Sequence, residues 1–152
     1  MNRGYFGIGV WHPNHECNVG TLFRSALAFG AAFLFTVGGR KYRTQASDTV
    51  KSTRHLPYFH FEDGDDFRKH RPNAPLVCVE IVPGSHDLAR FVHPERCLYL
   101  LGNEGGGLPT DLLRGTVLTI PSLVCLNLAV AGSIVMYDRT AKVSSFRVKE
   151  AV

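Results

Sequence analysis

Leu98-Tyr-Leu-Leu-Gly-Asn-Glu-Gly-Gly-Gly-Leu-Pro109 carries an apolar run straight into a glycine-rich loop. A short continuous apolar run bounded by a turn reads as a strand buried on both faces, which is how strands of parallel sheets look. In α/β proteins the loops at the carboxyl ends of such strands bind ligands. Three consecutive glycines allow a ligand or another backbone to come close. The spacing is neither the dinucleotide pattern G-x-G-x-x-G nor a phosphate loop, since no Lys-Ser/Thr follows the glycines. A structural turn accounts for the glycines. It does not account for Asn103 and Glu104, polar residues placed where the strand ends.

Outward from this stretch the chain alternates strands and helices. Strands are expected at Tyr5–Val10, Phe33–Val37, Tyr58–Phe61, Leu76–Ile81, Cys97–Leu101 and Val117–Ile120. Helices are expected at Val19–Phe29, Asp65–His70, His86–Phe91, Asp111–Leu113 and Leu126–Tyr137. This order predicts an α/β fold with a mostly parallel sheet and helices on both faces. The 152 residues fit one domain, 1–152, with 45% apolar and 20% charged residues, a globular composition. Lys and Arg exceed Asp and Glu by 17 to 13, which suits a polyanionic partner without establishing one.

Cys17, Cys78, Cys97 and Cys125 form no C-x-x-C pair, and two of them sit in apolar runs. Free thiols and a reducing, cytoplasmic setting follow. No leader is expected at the Met-Asn-Arg-Gly start. The uncharged stretch 117–137 is long enough for a membrane span, but Pro121, Ser122 and Asn127 break it into a strand, a loop and a buried helix. His12, His15, Glu16 and Cys17 cluster in the first loop without a zinc spacing, so no metal is expected. The remaining histidines read as surface or loop residues.

In the first helix, Asn18 reads as the N-cap and Gly30 as the residue after the C-cap. Val19, Leu22, Ala26 and Phe29 share an apolar face. Arg24 stands over small neighbours, Gly20, Thr21 and Ala28, and is either a solvated surface residue or a cation reaching a partner. The last helix is apolar almost all round and is expected to be buried. Asn127 opens it, either as a helix-start residue or as a functional amide.

Three segments carry a resemblance. Asn18-Val-Gly-Thr-Leu-Phe-Arg-Ser-Ala-Leu-Ala-Phe-Gly30, Leu101-Gly-Asn-Glu-Gly-Gly-Gly-Leu108, and Ile120-Pro followed by Leu126-Asn127 and Ala131 resemble, in order, the three motifs of the SpoU (TrmH-like) branch of the SPOUT methyltransferases. The resemblance implies a C-terminal trefoil knot, which general folding rules alone would reject. It also implies a homodimer, S-adenosylmethionine as methyl donor, and a ribose 2′-hydroxyl of tRNA or rRNA, tRNA more than rRNA, as acceptor. By the same resemblance Arg24, Asn18, Glu104 and Asn127 are catalytic. Glu80, Leu101, Gly102, Asn103, Ile120, Cys125, Leu126 and Ala131 surround the donor. Cys125 departs from the family's usual Ser, and a thiol is the weaker hydrogen-bonding group. Two other readings stay open: a knotted RNA-binding protein with weakened catalysis, and an unrelated nucleotide-binding α/β enzyme. The basic segments 40–43, 51–55 and 68–71 are candidates for RNA backbone contact.

Overall fold

A computed structural model describes residues 4–143. Seven strands form one sheet: β1 (Tyr5–Trp11), β2 (Phe33–Val37), β3 (Tyr58–Phe61), β4 (Leu76–Val79), β5 (His86–Asp87), β6 (Arg96–Leu101) and β7 (Thr116–Thr119). Their order across the sheet is β3-β2-β1-β6-β4-β7-β5. Every pairing is parallel. The helices are α1 (Glu16–Ala28), α2 (Gly64–His70), α3 (Thr110–Leu113) and α4 (Leu128–Val143).

Strand alternation builds two cores. On β1 and β6, Phe6, Ile8, Val10, Cys97, Tyr99 and Leu101 face one side, where Leu22 and Phe23 of α1 and Val135 and Met136 of α4 cover them. Leu98 and Leu100 face the other side with Phe35, Phe67 of α2 and Leu108. The sheet is therefore apolar on both faces, as the continuous apolar runs predict.

Four expectations need correction. α1 begins at Glu16, two residues before the expected cap, and His15 at the cap position makes no side-chain cap bond. The Asn18 side chain is instead committed to residues far away in sequence, described below. Segment 86–91 is not a helix: His86 and Asp87 pair with β7, and Leu88–Arg90 form a single 3-10 turn. α4 runs to Val143 rather than Tyr137, and it is not buried all round. Val130, Ile134 and Tyr137 are exposed on its outer face.

The fourth correction is His93, which is buried rather than on the surface. Its Nε2 lies 2.7 Å from Asp138 Oδ2 and its Nδ1 2.6 Å from the Tyr99 hydroxyl. The carboxylate takes the ring's N–H, so Nδ1 accepts the tyrosine proton. Burial pushes the Tyr99 hydroxyl up, which keeps it a donor. Arg139, also buried, donates to the carbonyls of Pro94 (2.7 Å) and Glu95 (2.8 Å) and lies over the Phe6 ring. These contacts fasten the second half of α4 to the amino rim of the sheet. The first half is left at the carboxyl rim. Among the described residues no helix is long and apolar enough to cross a membrane.

Candidate active site

Register sets the carboxyl rim. Leu101 pairs with Val10 on one side and Val79 on the other, and Val79 pairs with Leu118. These four residues lie in one row, so the loops after β1, β6, β4 and β7 all leave the sheet at one level. Ligands of α/β proteins bind outside this carboxyl rim.

The loop after β6 is held by Asn103. Its Nδ2 donates to the His12 carbonyl (3.0 Å), which ties it to the loop after β1. Its Oδ1 accepts from the backbone N–H groups of Gly105 (3.0 Å) and Gly106 (2.7 Å). Gly107 has φ 62°, the left-handed region. A Cβ on Gly107 would lie 2.9 Å from Glu80 Oε2, and one on Gly102 would lie 3.0 Å from the same atom. Glycine at both positions lets the Glu80 carboxylate rest against the loop.

Between these loops lies a cavity of about 140 Å³. Glu80, Leu101, Gly102, Asn103, Ile120, Cys125, Leu126 and Ala131, the eight residues placed around the donor by resemblance, all line it. Val79, Ile81, Ser122 and Leu128 line it too and were not singled out from the sequence. Their signal was position, since each neighbours a strand end or the helix start. The walls are mainly apolar, with two carboxylates, Glu80 and Glu104. Ile81, Ser122 and Cys125 are exposed, so the cavity opens to solvent along that side.

Beside the cavity, three of the four polar residues assigned to catalysis meet. Asn18 Nδ2 donates to Glu104 Oε1 at 3.0 Å. Asn127 Nδ2 donates to Asn18 Oδ1 at 3.1 Å and to Glu104 Oε1 at 3.3 Å. The Asn127 Oδ1 accepts from the N–H groups of Ala129 (2.9 Å) and Val130 (3.3 Å). Asn127 therefore caps α4 through its oxygen while its amide joins the cluster. Arg24 is not part of the cluster. It is exposed on α1 and makes no side-chain hydrogen bond or ion pair among the described residues.

The first-loop residues do not converge. Glu16 accepts from Gln45 Nε2 at 2.9 Å, and among the described residues no group of three His, Cys, Asp or Glu side chains is placed to hold a metal.

Comparison with known proteins adds the family. Residues 6–137 match the model of the SpoU rRNA Methylase family. The chain is 28% identical over 137 residues to mouse tRNA (guanosine(18)-2′-O)-methyltransferase TARBP1, a match over 81% of this chain and 8% of that protein. An AdoMet-bound rRNA methyltransferase from Sinorhizobium meliloti superposes with a TM-score of 0.82 at 24% identity, over 95% of this chain and 59% of its own. The SpoU methyltransferase AviRb from Streptomyces viridochromogenes gives 0.76 at 23%, over 93% and 62%. A structure concerned with 2-OH methylation of C/U34 on tRNA gives 0.79 at 21%, over 95% and 94%. These solved structures share the fold. The chain spans a small part of the mouse protein and less than two thirds of the first two structures.

Proposed function

This chain belongs to the SpoU rRNA Methylase family, and on that premise we propose that it transfers a methyl group from S-adenosylmethionine to a ribose 2′-hydroxyl of RNA. The observation that carries this reading is the meeting of Asn18, Glu104 and Asn127 from three distant segments at the mouth of the cavity. A mere turn or cap would not require them to touch.

The residues present fit the donor. Leu101, Ile120 and Leu126 offer apolar surface for a purine, and Glu80 offers acceptors for ribose hydroxyls. The cradle at Gly102 and Gly107 leaves no room for a Cβ. When bound, the donor supplies a methyl group on a positively charged sulfur that departs as a neutral thioether. The chain's own residues do the rest. Apolar walls keep water from the methyl group. Asn18, Glu104 and Asn127 orient the incoming ribose through amide and carboxylate contacts, so that positioning supplies much of the acceleration. Arg24 stabilises the negative charge that grows on the 2′-oxygen and grips the neighbouring phosphate. It does not act as a base, because a guanidinium stays protonated in proteins. The hydroxyl proton passes to water or a phosphate oxygen.

The same reading includes the family's knot and a homodimer. Leu123 is fully exposed at 104% and Val124 at 75%, and Val130, Ile134 and Tyr137 of α4 are exposed too, apolar surface that a second copy would cover. tRNA is the RNA class we propose, because the structure concerned with tRNA matches this chain over nearly its whole length. Buried free thiols at Cys78 and Cys97 fit a reducing cytoplasm.

Titration calorimetry tests the donor site. S-adenosylhomocysteine should bind and raise Tm, while NAD and ATP should do neither. Tight NAD binding with no response to S-adenosylhomocysteine would replace this reading with that of an ordinary nucleotide-binding enzyme.

A further inference from the structure

Several cations among the described residues are held by partners. Arg68 is paired with Asp111 at 2.8 Å and Asp65 at 3.4 Å, Lys142 with Asp138 at 2.8 Å, and Arg139 with backbone carbonyls. The excursion between β2 and β3, residues 38–57, carries Arg40, Lys41, Arg43, Lys51 and Arg54. None of these five side chains has a polar partner among the described residues.

The one carboxylate of that excursion is turned inward. Asp48 is 1% exposed and accepts from the Ser52 N–H (3.0 Å), the Ser52 hydroxyl (2.7 Å) and the Tyr42 hydroxyl (3.2 Å). The excursion thus exposes five cations and no carboxylate of its own, over a folded polar core. The loop is also seated on α1. Ser47 Oγ donates to the Cys17 carbonyl at 2.7 Å, and the Tyr42 ring packs edge-on against Phe23 at 4.8 Å. A Cβ on Gly20 would lie 2.5 Å from Ser47 Oγ, so glycine there allows the close approach. A cavity of about 480 Å³ lies between Glu16 and Arg40, Lys41 and Arg43. The Glu16 carboxylate is occupied by the Gln45 amide rather than by these cations.

Helix geometry links this surface to the candidate active site. Glu16, Gly20 and Phe23 form the side of α1 under the loop. Asn18 and Ser25 form the side toward α4, where Ser133 Oγ meets Ser25 Oγ at 2.9 Å. At 3.6 residues per turn, Cys17, Thr21 and Arg24 make the exposed stripe between them. A strand lying on the loop's cations crosses Arg24 on its way to the Asn18 cluster. The other basic segment differs. Arg68 and His70 are paired with Asp111, Asp65 and Asp66, and Glu62 and Asp63 stand close in sequence.

We propose that residues 38–57 form a preformed surface for the ribose-phosphate backbone of the RNA, with Arg40, Lys41 and Arg43 gripping phosphates that flank the reacting nucleotide. The proposal rests on the methyl-transfer reading for what it delivers to the site. It makes a separate claim about where RNA binds.

Fluorescence anisotropy with a labelled, unmodified tRNA transcript across a potassium chloride series tests it. The variants are R40A/K41A/R43A and, as control, K69A/R114A, two exposed cations elsewhere. The first should weaken binding at least about tenfold at 0.1 M salt and flatten the log K against log salt slope by about 2 to 3, at 0.7 to 0.9 per lost phosphate contact. Its Tm and its affinity for S-adenosylhomocysteine should not change. The control should match the unaltered chain. Equal affinity and slope for R40A/K41A/R43A, or no RNA binding by the unaltered chain, would overturn the proposal. If RNA binding is lost as expected but the unaltered chain transfers no methyl group, the loop assignment stands and the enzymatic reading falls.

Discussion

Asn127 Nδ2 lies 3.1 Å from Asn18 Oδ1, a bond between residues 109 positions apart that joins the first turn of α1 to the cap of α4. The same Asn127 caps α4 through its other side-chain atom. The two jobs separate by mutation. Asn127→Asp keeps the capping oxygen but loses both amide donors and sets a second carboxylate beside Glu104. Its Tm should stay close to that of the unaltered chain, while methyl transfer falls about 10²-fold. Asn127→Ala should lose the cap as well, at about 1 kcal/mol of stability. Thermal melting and a turnover assay on both variants check the split.

Arg24 is exposed and has no side-chain partner among the described residues, so Arg24→Ala should leave Tm and S-adenosylhomocysteine affinity unchanged. Turnover should drop about 10²- to 10³-fold, the usual effect of losing one preorganised donor. Arg24→Lys should recover little of it, because an ammonium lacks the planar fork. Near-normal turnover in Arg24→Ala would remove this residue from the mechanism.

Cys125 lines the cavity and is exposed. Cys125→Ser supplies the hydroxyl usual in the family and should keep or raise activity with Tm unchanged. Loss of all methyl transfer in a folded variant would instead assign a role to the thiol.

Buried His93 is expected to make stability depend on pH. Burial pushes its pKa below the ordinary value, against the Asp138 hydrogen bond that pushes it up. The unfolded chain, with a histidine near 6.5, therefore binds more protons than the folded one below about that pH. The contribution of neutral His93 is complete above about pH 6.5 and is lost as pH falls through the lower folded value. Tm should drop between pH 7.5 and 5, and His93→Gln should flatten that drop while lowering Tm at pH 7.5. An equally steep drop in His93→Gln would place the titration elsewhere.

Much of this architecture is legible in the sequence. β2 and β3 fall at the expected residues, and the other long strands within two, because runs buried on both faces are short, apolar and bounded by turns. The polar residues of the loop after β6 stand out because nothing in a turn requires Asn103 and Glu104. What was not legible depends on contacts between distant segments. Asn18 looks like a cap because its type and its place before an apolar run are those of a cap. Only the sheet register brings Glu104 and Asn127 to its side chain. His93 looks like a loop residue because its partners, Tyr99 and Asp138, lie on another strand and on α4. The outer face of α4 reads as buried from its apolar residues, whereas in this chain Val130, Ile134 and Tyr137 remain exposed.

The most direct test is nucleoside mass spectrometry. Purified chain is incubated with unmodified tRNA transcript and S-adenosylmethionine carrying an isotopically labelled methyl group, and the RNA is digested to nucleosides. The account predicts the label on ribose, as a 2′-O-methylnucleoside, with the signal lost in Arg24→Ala. Label found on a base, or no label in RNA from a chain that binds S-adenosylhomocysteine, would contradict it.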